Sequence, residues 1–133
     1  MKILVCGSRD FEDYPLLKKV INDLMFGRDG YLKLDTIEGL TIISGGAKGA
    51  DLLVEKYIKE GDFFPSDKSR IFNEIHLPDW DKYGKRAGMI RNQKMIDEKP
   101  NLVIAFWDGV SRGTENTISL AKKNKIQTLI VYF

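Results

Sequence analysis

The sequence predicts an α/β fold: a Rossmann-like three-layer αβα sandwich around a five-stranded parallel sheet, in the order 3-2-1-4-5. Three observations lead to it. Apolar runs of strand length alternate with segments of helical spacing, giving β-α-β-α-β-α-β-α-β. The runs are rich in Ile, Leu and Val and mostly lack apolar-polar alternation, as befits strands covered on both faces. Glycine-rich turns follow the first, second and fourth runs, where a doubly wound sheet gathers its ligand-facing loops.

The first strand is expected over Lys2–Cys6. A helix follows, with Leu16, Leu17, Val20, Ile21, Leu24 and Met25 on one face, Pro15 at an early helical position and Gly27 as its stop. Leu40–Ser44 reads as the second strand; Ala50, Leu53, Val54, Tyr57 and Ile58 then mark the inner face of a second helix, which Gly61 ends. Arg70–Leu77 is the third strand. A third helix is expected as one continuous segment over Lys82–Glu98, ending before Pro100, whose ring disfavours helical geometry at the preceding residue. Leu102–Trp107 is the fourth strand, and a fourth helix runs from about Gly113 to Asn124 with Thr117, Ile118 and Ala121 inward. Gln127–Phe133 closes the sheet, while Gly27–Gly39 and Gly61–Ser69 are looser connections. Right-handed crossovers put strand one at the centre and the topological switch between strands one and four.

A chain of 133 residues, 43% of them hydrophobic and spread throughout, supplies one ordinary core, so residues 1–133 are expected to form a single domain. The apolar opening Met1–Gly7 is too short for a secretory segment and turns polar at Ser8-Arg9-Asp10; no run has membrane-spanning length. Cys6 has no second cysteine to pair with, and His76 is the only histidine, so neither a metal cluster nor a cofactor is expected; both side chains are assigned to structure. Cytoplasmic residence fits this reduced composition. The net charge of +2 arises from 21 basic and 19 acidic side chains that are intermixed, which disfavours nucleic acid as a partner. The run Lys122-Lys123-Asn124-Lys125 reads as the last turn of a helix, where positive charge complements the macrodipole.

Four segments carry candidate chemistry. Strand one runs into Gly7-Ser8-Arg9, where a residue without Cβ lets main-chain amides approach a ligand and Arg9 reach an anion; the same letters also suit a plain turn. Strand two is followed by Ser44-Gly45-Gly46-Ala47-Lys48-Gly49-Ala50-Asp51, with three glycines in five positions leading into a helix. Free amides at a helix start form a phosphate cradle, to which Ser44 and Lys48 add a hydroxyl and a cation. It is neither a Walker A loop nor the dinucleotide G-x-G-x-x-G. Asp51 either caps the helix or binds a ribose hydroxyl. In the third helix Ala87, Gly88, Arg91, Asn92 and Met95 share a face, and small residues beside Arg91 hold space for a ligand or for another backbone, the alternative being an arginine paired to a carboxylate at the surface. Strand four ends at Asp108-Gly109, and Ser111, Gly113 and Thr114 open the last helix as a second anion site across the switch point. Trp80 and Trp107 either stack on a base or fill core.

Taken together, Gly7-Ser8-Arg9-Asp10-Phe11, Ser44–Asp51, Ala87-Gly88-Met89-Ile90-Arg91-Asn92-Gln93-Lys94-Met95 and Ala105–Thr114 resemble the SLOG superfamily, most closely its YspA/YpsA-related branch. The likeness runs from Lys2 to Phe133 with the motifs in the family's order. It implies a ligand class, nucleotides and their derivatives, and frequent self-association into homo-oligomers. The superfamily includes the LOG phosphoribohydrolases, which release a base from a nucleoside monophosphate, and DprA, which handles DNA. Arg91–Met95 matches the Arg-Lys-x-x-Met element of the LOG enzymes in its Arg and Met, and Gly113-Thr114 part of their Pro-Gly-Gly-x-Gly-Thr-x-x-Glu element. The place of that Glu is taken here by Thr117. Glu115 lies two residues earlier, a rotation of roughly 200° around a helix, and is a poor substitute.

The leading expectation is therefore binding of a phosphorylated nucleotide or nucleotide-derived metabolite. Phosphate would sit at Gly45–Gly49 or Ser111–Thr114, with ribose and base near Arg9, Asp51, Arg91, Asn92 and Asp108. An N-glycosidic hydrolase is the alternative, with Asp51, Asp108 or Glu115 acting at the anomeric carbon and Arg91 on phosphate. Single-stranded DNA binding, by resemblance to DprA, ranks third.

Overall fold

A computed structural model describes residues 1–26, 40–60 and 71–133. Five strands, β1 (Lys2–Gly7), β2 (Leu40–Ser44), β3 (Ile71–Ile75), β4 (Leu102–Trp107) and β5 (Gln127–Tyr132), pair in parallel in the order β3-β2-β1-β4-β5. Both the α/β class and the expected strand order are thereby observed. Side chains alternate across a strand, so the central runs feed two cores. Ile3, Val5, Ile42, Ile104 and Phe106 face the first two helices, while Leu4, Cys6, Ile43, Val103 and Ala105 face the last two.

Helix α1 (Tyr14–Phe26) is capped by Asp13, whose carboxylate accepts from the Leu16 amide at 3.1 Å; Pro15 falls in the first turn, where its missing N–H is harmless. Helix α2 (Ala50–Glu60) buries Ala50, Val54 and Tyr57 on the same side. On the opposite face lie α4 (Ala87–Asp97), contributing Met95 and Ile96, and α5 (Arg112–Lys123), contributing Ile118 and Ala121. Lys122 and Lys123 occupy the last turn of α5, as its dipole favours.

Three expectations need correction. The helix expected over Lys82–Glu98 is divided: α3 (Trp80–Tyr83) stops at Gly84, φ 57°, a single 3-10 turn spans Gly84–Arg86, and α4 begins at Ala87. A left-handed glycine cannot continue an α-helix. Strand β3 ends at Ile75, two residues short of Leu77, and the edge strands are not covered on both faces. Phe72 is 56% exposed and Tyr132 64% exposed, and β5 alternates for most of its length. The stops at Gly27 and Gly61, the connections Gly27–Gly39 and Gly61–Ser69, the strand start at Arg70 and the inward placement of the Met25 side chain lie outside the described residues.

Candidate functional site

The carboxyl ends of β1, β2 and β4 lead into turns that close around a cavity of about 690 Å³, within the usual range for small-molecule sites. Its floor comes from Cys6, Gly7 and Ser8 of β1 and the turn beyond it, one wall from Gly88, Arg91, Asn92 and Met95 of α4, and another from Ser111 to Thr114 at the start of α5. Six polar side chains are buried among the described residues, and five of them, Ser8, Asp51, Asn92, Thr114 and Thr117, line this cavity. Buried polar groups are costly unless satisfied, so their concentration here marks a place adapted to polar contact. Arg9, Lys85, Arg91 and Arg112 set four cations against the carboxylates of Asp10 and Asp51.

The turn after β2, the sharpest sequence feature, is largely taken up by the protein. A Cβ on Gly45 would collide with the Arg91 guanidinium, and one on Gly49, φ 95°, would collide with the Ser8 carbonyl and stand 3.0 Å from Arg9 Cα. Gly46 packs against Leu77 and Ile75. The Ala47 amide donates to Asp51 Oδ2 at 3.1 Å. Ser44, Gly45, Gly46, Lys48 and Gly49 consequently lie outside the cavity lining, and only Ala47 and Asp51 of this segment reach it. The glycines admit protein neighbours rather than a phosphate, a use that sequence alone does not distinguish.

Arg91 is likewise drawn into the scaffold. Its Nη1 donates to the Gly45 carbonyl at 2.6 Å and reaches the His76 carbonyl at 3.5 Å, and its Nε donates to Asn92 Oδ1 at 2.9 Å. Asn92 in turn donates to the Gly113 carbonyl at 3.3 Å and to Asn116 Oδ1 at 3.1 Å, pinning α4 to the first turn of α5. Asp108 is used up locally: it accepts from the amides of Val110 and Ser111 and from the Ser111 hydroxyl, all within 2.9 Å. Those bonds, the Ser111 amide foremost, lower its carboxyl to about 2, so its support for the turn holds above pH 4 and is lost as pH falls towards 2. Asp108, Gly109 and Glu115 do not line the cavity, whereas Thr117 does. The rotation between positions 115 and 117 is the reason: Glu115 projects to solvent.

Asp51 is 7% exposed, and burial raises its carboxyl to about 6, against the pull of the Ala47 amide, the Arg91 charge and the Gly45 amide. Its Oδ1 is buried without a hydrogen-bond partner, the one such side-chain atom among the described residues. It is not a helix cap, since the bond it makes ties the preceding turn to α2. Burial likewise pushes the Cys6 thiol far up, leaving it inert at the cavity floor.

The chain is similar to the Gene 61 protein of Mycobacterium phage D29, with 28% identity over 131 residues that span 96% of this chain and 94% of that relative. That relative's name specifies neither ligand nor reaction. No family model matches the chain, and no solved structure matches it.

The two tryptophans separate cleanly. Trp107 donates its indole N–H to the Ser111 carbonyl at 3.0 Å and packs on Tyr132, with ring centroids 5.8 Å apart. Trp80 is 51% exposed and lines the cavity mouth beside Met89. Trp107→Phe is expected to lower stability by about 1 kcal/mol through the lost hydrogen bond, and Trp80→Phe by less than about 0.5 kcal/mol; urea melts measure both. Lys85, Met89 and Asn116 are lining residues that sequence reasoning missed, and Arg112 was covered only within the span Ser111–Thr114. Lys85 and Met89 sat inside a helix expected to be unbroken; Asn116 followed the glycine-rich turn and signalled its position only through helical phase.

Away from the cavity, ligand atoms of Glu74, His76 and Glu98 lie within 4.8 Å of one another, a proximity that their separation in sequence hides. Lys2 Nζ already holds Glu98 Oε2 at 2.7 Å, and His76 Nε2 stands 3.0 Å from Glu74 Oε2. Among the described residues no helix is long and apolar enough to cross a membrane.

Proposed function

We propose that the cavity binds a phosphorylated nucleotide or nucleotide-derived metabolite, with its phosphate on the first turn of α5. The observation that carries this reading is the gathering of five buried polar side chains, four cations and a helix start around one cavity. Of the two anion sites expected from sequence, the α2 turn is filled by Arg91 and the Ser8–Arg9 backbone. The α5 start is the open one: a side chain at Gly113 would meet nothing within 4 Å, and the Ser111 hydroxyl is engaged by Asp108 rather than by the helix amides. The unpaired N–H groups and the dipole of that turn attract an oxyanion. Trp80 and Met89 at the mouth offer a surface for a planar base. The resemblance to the SLOG superfamily supports the same ligand class.

Calorimetric screening of AMP, ADP-ribose, NAD and cyclic nucleotides tests the idea. Gly113→Asp supplies the decisive variant. An acidic residue in the first turn suits the fold of α5, so the melting temperature should hold or rise, while affinity should drop tenfold or more through repulsion. Failure of every phosphorylated nucleoside to bind the wild-type protein would remove the proposal.

One observation favours a second reading, N-glycosidic hydrolysis: Asp51, with its carboxyl raised to about 6, can exchange a proton near neutral pH at the cavity wall. Of the three carboxylates considered from sequence, Asp51 alone lines the cavity. Chromatography for free base after incubation with nucleoside monophosphates decides it, since intact substrate at high protein concentration rules hydrolysis out.

A further inference from the structure

Asp51 and Arg91 both meet Gly45, whose amide helps to hold the Asp51 carboxyl down and whose carbonyl accepts from Arg91, and each has a hydrogen-bonding group left over. The Arg91 guanidinium takes the Gly45 carbonyl through Nη1, while Ala47, two residues on, gives its amide to Asp51 Oδ2. Oδ1 of Asp51 is buried without a well-aligned hydrogen bond, and Nη2 of Arg91 makes no hydrogen bond among the described residues. Each charge favours the ionised form of the other, yet no ion pair joins them, and both residues line the cavity.

An unmet acceptor and a spare donor on the lining of one cavity, too far apart to pair directly, select a group that is both. A hydroxyl gives its proton to a carboxylate and accepts from a guanidinium. A phosphate would meet Arg91 but be repelled by Asp51; an ammonium would meet Asp51 but be repelled by Arg91; a carbonyl has no proton to give. The χ2 torsion of aspartate is soft, so the carboxylate that lines the cavity can turn Oδ1 toward an incoming hydroxyl. The Arg91 side chain is fixed from three sides, so its remaining nitrogen offers a preset direction.

We propose that Asp51 Oδ1 and Arg91 Nη2 together hold a sugar hydroxyl of the ligand, so that the cavity selects ribonucleotides over their deoxy counterparts. This rests on the nucleotide reading of the cavity and goes beyond it by naming the sugar and the pair that recognises it. Phosphate on α5 and hydroxyl on Asp51 keep the ligand's negative charge and the buried carboxylate apart.

The test is titration calorimetry of AMP, GMP, CMP and UMP, each beside its 2′-deoxy and 3′-deoxy form, on wild type, Asp51→Asn and Gly113→Asp. For the base that binds best, removing one of the two hydroxyls should weaken binding to wild type roughly 10-fold to 100-fold, because the buried Asp51 oxygen is left unmet. In Asp51→Asn the ribo and deoxy forms should bind within about threefold of each other, since the charged acceptor is gone. Deoxy forms that bind wild type as tightly as the ribonucleotide overturn the sugar assignment, as does discrimination that persists in Asp51→Asn. If those equal affinities are still lost in Gly113→Asp, the phosphate reading stands alone. Absence of binding by any member of the panel overturns both.

Discussion

Gly49→Ala should destabilise the protein by about 4 kcal/mol, enough to lower its melting temperature by more than ten degrees. Two effects add. At φ 95° an L side chain is strained by roughly 1–3 kcal/mol, and the new methyl would overlap the Ser8 carbonyl and press on Arg9 Cα at 3.0 Å. Both neighbours are backbone, which cannot swing aside as a flexible side chain would. Gly45→Ala is the control: its methyl meets the Arg91 guanidinium, which can withdraw, so stability should fall less than in Gly49→Ala while the Arg91–Gly45 bond is lost. Guanidinium melts of both variants measure the difference. Equal losses would mean that Arg91 is as immovable as main chain.

Much of this fold was legible because the central strands state their environment outright. Ile3, Leu4 and Val5 in succession leave no face for water, and such a strand needs helices on both sides. The edges were less legible for the same reason. Phe72 and Ile75 of β3, and Leu129 and Tyr132 of β5, are apolar residues that happen to face outward, and hydrophobicity does not record whether a neighbouring strand exists. Gly84 was passed over because a glycine inside a helical pattern is often tolerated; only its backbone angle shows the break. At the site, sequence located Gly7, Ser8, Arg9, Ala47, Asp51, Arg91, Asn92, Ser111, Gly113 and Thr114 on one cavity. It could not separate the two glycine-rich turns. A missing Cβ serves an incoming phosphate and an incoming guanidinium equally, and which of them arrives depends on Arg91, 46 positions from Gly45.

Asp51→Asn should make the ligand-free protein more stable at neutral pH, and the gain should disappear in acid. In the folded chain the carboxyl sits at about 6, above its ordinary 3.8. Between these values the folded state holds a proton that the unfolded state has released, so wild-type stability falls as pH rises from about 4 to about 6 and stays low above that. The displacement corresponds to about 3 kcal/mol at pH 7. Asparagine keeps an acceptor for the Ala47 amide and removes the buried charge, but it leaves an N–H donor unmet, which costs about 1–2 kcal/mol. A net gain of about 1–2 kcal/mol at pH 7, turning into a net loss of about 1–2 kcal/mol below about pH 4, is the expected result of urea melts across that range. A variant less stable than wild type at every pH would mean that the carboxylate contributes to the fold rather than being borne by it. Combined with weaker ribonucleotide binding, the gain would mark Asp51 as a residue whose burden is retained for recognition.

The interlock between Gly49 and the Ser8–Arg9 main chain bears on protein engineering. Five residues from Gly45 to Gly49 look like a portable cassette, yet their path is moulded by an arginine from α4 and a peptide from the β1 turn. Transplanted alone into another scaffold, the pentapeptide would relax into some other loop. A successful graft must carry all three parts of the interlock, and a search for distant cousins by that short string alone would retrieve spelling without shape.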